Sequence, residues 1–263
     1  MDKRADETAN RRARGLDRAF DILDALREAG RPLRPNEIAS ALAAPRSTVY
    51  EIVAALLKLS VLEAADAEGR VFLGRRLFLY GQAYGQHSDL PSRVATVLER
   101  LATETHETAQ FCLLDGNKYT VAMMREGSRP FRISSSLGER TPIPWTASGR
   151  LLLGHRDLEE IRAFVPPDDF RLPSGQWLDP AEFAAQGRRA VADGYFTFDS
   201  IVDSYTHCFA VPIKRADGTA AATLCLVAPR ADALRNHTDY LARLRSAAAS
   251  LEPSFAGDAP GST

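Results

Sequence analysis

Two short runs of side chains in this sequence have types and spacing suited to chemistry. The first is Pro45-Arg46-Ser47-Thr48-Val49-Tyr50-Glu51. An arginine can pair with a guanine edge or a phosphate, and serine and threonine hydroxyls can donate to phosphate. A tyrosine can meet a phosphate or a thymine methyl group. A glutamate can accept from a cytosine amine, or repel the backbone and sharpen selection. Arg46, Ser47, Thr48, Tyr50 and Glu51 therefore form one candidate set, with Arg70 further along; each is equally a residue type of ordinary solvated surface. The second run is Thr146-Ala147-Ser148-Gly149-Arg150. Ser148 and Gly149 offer backbone amides at a helix start, a setting that suits a carboxylate, and Thr146 and Ser148 add hydroxyls. Cys208 and Cys225 fall in the middle of strand-like runs, where they could line a ligand cavity or simply fill a core.

Other chemistries find little support. The three cysteines, Cys112, Cys208 and Cys225, are odd in number and widely spaced. They match neither a zinc pattern nor a secreted disulfide framework and read as buried thiols in a reducing cytoplasm. The five histidines are scattered and give no HxxxH pair, so no metal site is expected. GxGxxG, GxxxxGK[ST] and GxSxG are all missing, and Thr146 to Arg150 lacks the first glycine of a nucleophile elbow. No cofactor is implied. His207-Cys208 suggests a thiol enzyme as an alternative, but adjacent strand residues point to opposite faces, so no catalytic residues are assigned.

The elements that must position the first run are helical. Leu16, Ala19, Phe20, Leu23 and Leu26 recur at helical spacing up to Gly30, preceded by a polar lead over residues 1–13. Pro35 opens a short helix with Ile38, Ala39 and Leu42. The next helix runs from about Pro45 to Leu59, with Val49, Ile52, Val53 and Leu56 at i, i+3, i+4 and i+7 as its buried stripe. A hairpin follows: Val61 to Glu63, a turn at Asp66 to Gly69, and Arg70 to Leu73. Three helices and a hairpin in this order make a winged helix-turn-helix over residues 14–75, in which one helix N-terminus can enter a major groove. The same arrangement occurs in protein-interaction modules, which stay as the alternative. Residues 76–88 read as an apolar linker helix that could pack on a twin.

From Asp89 the pattern changes. Asp89 is a candidate cap for a helix carrying Val94, Val97, Leu98 and Leu101. Strands are expected at Thr108 to Leu114, Tyr119 to Met124 and Phe131 to Ser134. A small helix covers Gly149 to Leu153, and Asp157 is a candidate cap for the next. Asp179-Pro180-Ala181-Glu182 has the form of a capping box. Strands follow at 195–199, 207–214 and Ala220 to Ala228, then a final helix from about Ala231. Residues 89–253 thus form an antiparallel sheet flanked by helices, α+β in class, with a disordered tail at 254–263.

The chain has 263 residues, 33 basic and 34 acidic, with 45% apolar and 25% charged residues. This is ordinary for folded protein of about two domains. Residues 1–76 hold 14 basic and 12 acidic side chains, a weak excess of the sign a DNA-contacting front end needs. No apolar run reaches membrane length and no secretory leader is visible.

Together, Leu16 to Leu23, Pro45 to Tyr50, Phe72-Leu73-Gly74, and Ile133-Ser134 through Gly138 and Pro142 to Arg150 resemble the IclR-type bacterial transcription regulators. The resemblance covers about Leu16 to Leu251. It implies a cytoplasmic homodimer or tetramer that binds a pseudo-palindromic site on double-stranded DNA. It also implies a GAF- or profilin-like C-terminal domain that takes a small effector, commonly an organic or aromatic acid, in a cavity on one side of its sheet. The effector set it implies is Ile133, Thr146, Ala147, Ser148, Gly149, Asp199, Cys208, Thr223 and Cys225. The chain departs from the family pattern at Trp145, Arg150, Glu51, Arg34, Cys225 and Val227; fewer hydroxyls point toward a less polar ligand, or none.

Overall fold

The computed structural model describes residues 3–129, 137–201 and 203–256, with side chains from residue 15 onward. It divides into two compact units, residues 1–88 and residues 89–263.

In the first unit, α1 spans Lys3–Ala29 and ends at Gly30, whose φ of +59° suits a residue without Cβ. The helix runs through the polar lead of the sequence reading. That segment alternates charged residues and alanine, which are good helix formers, and needs no apolar stripe to be helical. α2 spans Pro35–Ala41, with proline in its first turn. Arg34 cannot cap it with a side-chain acceptor; instead Glu37 reaches back and accepts from the Arg34 amide at 2.8 Å. α3 spans Arg46–Lys58 and buries Val49, Val53 and Leu56 against Ile22, Leu26 and Ile38. β1 (Leu62–Ala64) and β2 (Val71–Leu73) form the antiparallel wing, with Leu62 opposite Leu73. Leu33 adds a bridge to Val71, its amide donating to the Val71 carbonyl at 3.1 Å and its carbonyl accepting from the Val71 amide at 2.8 Å. The wing is thereby tied to the start of α2. Gly74 closes it, because a Cβ there would sit 2.6 Å from the Ser60 carbonyl oxygen. α4 follows at Arg75–His87.

The second unit holds α5 (Leu90–Thr105), β3 (Thr108–Asp115), β4 (Lys118–Arg125), β5 (Arg140–Thr141), α6 (Ala147–Leu153), α7 (Leu158–Phe164), α8 (Pro180–Asp193), β6 (Phe196–Asp199), β7 (Thr206–Lys214), β8 (Ala220–Pro229) and α9 (Arg230–Leu251). The six strands form one antiparallel sheet in the order β5-β4-β3-β8-β7-β6. Alternation along each strand divides the core. Phe111, Phe209, Val211, Leu224 and Leu226 pack with α5 and α9 on one face. Cys112, Tyr119, Ala210 and Cys225 pack with α6, α7 and α8 on the other.

Several local expectations change. Asp89 makes no capping hydrogen bond; Pro91 in the first turn starts α5 instead. Asp179 caps α8 by accepting from Ala181 N at 2.9 Å, but Glu182 does not complete a box, since its carboxylate accepts from Gln186 at 3.0 Å. The reciprocal box occurs at α7, where Asp157 and Glu160 each accept the other's amide at 2.8 Å. The expected tail begins in the core: Phe255 is buried, its ring 6.4 Å from that of Phe111. The expected strand at 131–134, with Ile133, lies outside the described residues.

Candidate DNA-binding and effector sites

The geometry of α3 follows from its stripe. With Val49, Ile52, Val53 and Leu56 turned inward, Arg46, Ser47, Thr48, Tyr50 and Glu51 are left exposed on the other side, Tyr50 at 51%. None of these five makes a side-chain hydrogen bond or ion pair among the described residues, and Lys58 on the last turn is equally without one. Arg70 is different. Its guanidinium meets Asp66 at 2.8 Å and Glu68 at 3.0 Å, and the Asp66 bond in particular holds its pKa above the usual arginine value. Arg70, expected with the α3 residues as a DNA contact, is paired with two carboxylates of the wing turn in the structure. Arg34 is also held there, 2.6 Å from Glu68. Arg34 and Glu68 were not in the candidate set. Their meeting depends on the Leu33–Val71 bridge, which joins segments far apart in sequence.

In the second unit, Thr146 is the N-cap of α6 and accepts from Gly149 N at 3.0 Å. One of the amides offered to a carboxylate is therefore already engaged. Gly149 has a packing reason as well: a Cβ there would collide with the Ile143 carbonyl oxygen. Ala147 and Ser148 are buried. Thr223 Oγ1 donates to Ser148 Oγ at 2.7 Å, and Ser148 Oγ lies 3.1 Å from Cys225 Sγ. Cys112 Sγ donates to Cys225 Sγ at 3.9 Å, and Tyr119 OH donates to Cys112 Sγ at 2.9 Å. With Thr223 donating to Ser148, the Ser148 hydroxyl proton is free to point at sulfur, so the donors converge on Cys225. Burial pushes the Cys112 thiol well above its usual range and moves Cys208 up to about 12. Tyr119 was not foreseen; the Asp115-Gly116-Asn117 turn sets a hairpin register from which its side of the sheet can be read.

Asp199 is not brought to this cluster. It stands opposite His207, and its carboxylate accepts from His207 Nδ1 at 2.9 Å and pairs with Arg230 at the start of α9. Arg230 first, then His207, holds the Asp199 carboxyl well below the usual carboxylate range. The His207 ring packs on Phe209, at 4.9 Å between centroids, on the α9 side, while Cys208 packs on the α6 side. The strand pleat thus separates Asp199 from Cys208, and separates His207 from Cys208 as the thiol-enzyme alternative required it not to.

Two side chains beside α6 are bound into the structure. Trp145 Nε1 donates to the Asp169 and Arg171 carbonyls at 2.9 and 3.1 Å. Arg150 is only 5% exposed. It donates to the Pro144 and Thr146 carbonyls at 2.7 and 2.8 Å and to Gln186 at 3.1 Å. Its guanidinium lies 4.9, 5.3 and 5.5 Å from the ring centres of Phe183, Phe196 and Phe198. Desolvation pulls its pKa down to about 10. Among the described residues, no group of three or more His, Cys, Asp or Glu is placed to hold a metal, and no helix is long and apolar enough to cross a membrane.

A winged helix-turn-helix with an exposed polar face on α3, joined to a helix-flanked antiparallel sheet, is the plan of a DNA-binding regulator. The bacterial IclR C-terminal domain matches residues 73–252 and the IclR helix-turn-helix domain matches residues 15–66. The chain belongs to the IclR family of bacterial transcriptional regulators and is a DNA-binding member of it. Among its relatives is the transcriptional regulator KipR of Bacillus subtilis, 26% identical over 78% of this chain and 82% of that protein. The Pca regulon regulatory protein of Pseudomonas putida is 27% identical over 80% and 72% respectively. An IclR regulator from Alicyclobacillus acidocaldarius shares the fold with a TM-score of 0.77 at 19% identity, over 91% of this chain and 98% of that one. An IclR homologue from Microbacterium hydrocarbonoxydans, solved with 4-hydroxybenzoate, gives 0.72 at 23% identity, over 92% and 98%.

Proposed function

We propose that Arg46, Ser47, Thr48, Tyr50 and Glu51 at the N-terminal end of α3 read the bases and grip the phosphates of a pseudo-palindromic site. The observation that supports this is the exposed face of α3, whose polar side chains make no bonds among the described residues, in a unit where most other arginines are engaged. A helix presented in this way fits the major groove, with its first turns against base edges. Two copies are needed to span two half-sites about 34 Å apart. Phe78, Leu79, Tyr80 and Tyr84 on α4 are large, apolar and at least half exposed, a surface suited to a second copy. A protein acting on chromosomal DNA in this way works in the bacterial cytoplasm.

The sheet face beneath α6 is the proposed effector site, formed by Thr146, Ala147, Ser148, Gly149, Cys208, Thr223 and Cys225. Its sulfur and apolar content favours a weakly polar ligand, such as an aromatic acid, over a small oxo-acid. The M. hydrocarbonoxydans homologue was solved with 4-hydroxybenzoate, an aromatic acid. Asp199 is left out of the set because its carboxylate is paired on the other face.

The test is a gel-shift titration on duplexes from upstream of the chain's own gene. Sequence-selective binding that Arg46→Ala weakens by roughly ten- to a hundredfold supports the reading; equal binding to scrambled DNA overturns it. A thermal-shift series with benzoates and short-chain acids tests the ligand class, since a ligand of the folded state raises Tm.

A further inference from the structure

The wing turn carries two arginines and two carboxylates in one bonded group. Arg34, next to the Leu33 bridge, lies 2.6 Å from Glu68, and Arg70 lies 3.0 Å from the same carboxylate and 2.8 Å from Asp66. The two acids have different tasks. Asp66 accepts from the Glu68 and Arg70 amides at 2.9 and 3.0 Å, so it shapes the turn. The Glu68 carboxylate makes no bond to the backbone; it only spans the two guanidinium groups. Glu68 is 58% exposed at its side chain, and such pairs are weak in water. A phosphate of matching charge can therefore compete with it.

We propose that Glu68 is a specificity-determining residue: it withholds Arg34 from the DNA backbone and, together with Asp66, withholds Arg70, keeping the wing electrically neutral toward DNA that α3 does not recognise. On non-specific DNA, affinity comes almost wholly from cations neutralising phosphates. A wing whose cations are already neutralised adds little there. On a site where α3 is seated, the wing is fixed against the backbone, and a phosphate held beside it at high effective concentration competes with the Glu68 carboxylate. The effect is a wider gap between specific and non-specific binding. This rests on α3 being the base-reading helix.

The experiment measures affinity against salt with the full-length chain, on a duplex from upstream of its own gene and on a scrambled duplex of equal length and composition. Glu68→Gln is expected to steepen the salt slope on scrambled DNA by ~0.9 as Arg34 is released while Arg70 stays on Asp66, so a fourfold dilution of salt strengthens binding by an extra ~3.5-fold. The ratio of specific to non-specific affinity is expected to fall. Glu68→Ala is expected to behave alike, and adding Arg34→Gln and Arg70→Gln is expected to remove the gain. Asp168→Asn adds the same charge in the other unit and frees no arginine. An unchanged slope in both Glu68 variants, or an equal rise with Asp168→Asn, overturns the proposal. If the wild-type chain fails to distinguish the two duplexes, the α3 reading falls, and the slope on scrambled DNA still decides the role of Glu68.

Discussion

Thr223 on β8 donates to Ser148 on α6 across 2.7 Å, joining sheet and helix through two side chains that are both fully buried. Both hydroxyls are closed off from solvent, and besides each other they have only the Cys225 sulfur, at 3.1 Å from Ser148 and 3.9 Å from Thr223. Ser148→Ala is expected to destabilise the fold by about 1–3 kcal/mol, and Thr223→Val by a similar amount. The double variant is expected to cost less than the sum, because no unpaired hydroxyl remains in it. Urea unfolding of the four proteins checks this; additive losses would show the two groups to be independent.

Cys112 and Cys208 are expected to be inert in the folded chain. With its pKa pushed up to about 12, Cys208 is thiolate in roughly one molecule in 10⁴ at pH 8, and the thiolate is the reactive species. Cys112 is shifted in the same direction by burial. Iodoacetamide followed by mass spectrometry is expected to leave both unmodified over hours and to label them promptly in denaturant. Fast native labelling of Cys208 would contradict its placement under α6.

The Asp199 pairing gives an acid dependence of defined sign. Its folded pKa lies below the unfolded carboxylate value of about 3.9. The stabilisation is therefore fully present above about pH 4 and is lost as pH falls below that value toward the lower folded pKa. Asp199→Asn is expected to flatten that part of the stability profile while leaving the sheet intact. The carboxylate is half exposed, so solvent screens the pair and the effect is small. Urea midpoints from pH 6 down to pH 2.5 for both chains test it; identical profiles would remove Asp199 from the ion pair.

Two glycine substitutions should diverge. Gly149→Ala drives a methyl group into the Ile143 carbonyl and is expected to cost about 1–3 kcal/mol. Gly15→Ala, inside α1 with open space around it, is expected to stabilise by up to ~1 kcal/mol. Thermal melts of the two variants measure the difference.

What the sequence made legible was local. The Val49–Leu56 stripe set the exposed face of α3 because helical spacing fixes sides without reference to anything distant. Residue type alone marks Asp157 as a helix start, whereas at α6 it leaves Thr146 and Ser148 as rivals that only the Thr146–Gly149 bond separates. The face of Asp199 was not legible, because strand parity becomes meaningful only once β6 is registered on β7. Arg70 presented the same difficulty: its partners were near in sequence, but nothing in their spacing said whether a carboxylate or a phosphate would hold it. The polar stretch before Gly15 concealed a helix because it has propensity without an apolar stripe. Arg150 stood out only as a departure from family pattern; its burial among Phe183, Phe196 and Phe198 is a product of three elements meeting.

The central strands of the sheet, β3 and β8, place Cys112 opposite Thr223. No part of that ladder can form before nearly the whole chain has left the ribosome, whereas the contacts of the first unit all lie within its opening 88 residues. Long-range pairing of this kind closes slowly, and domains mature as their last segment becomes available. The front module therefore becomes competent ahead of the back one during synthesis, and a truncated product ending before β8 would carry a finished wing and recognition helix on an unclosed sheet.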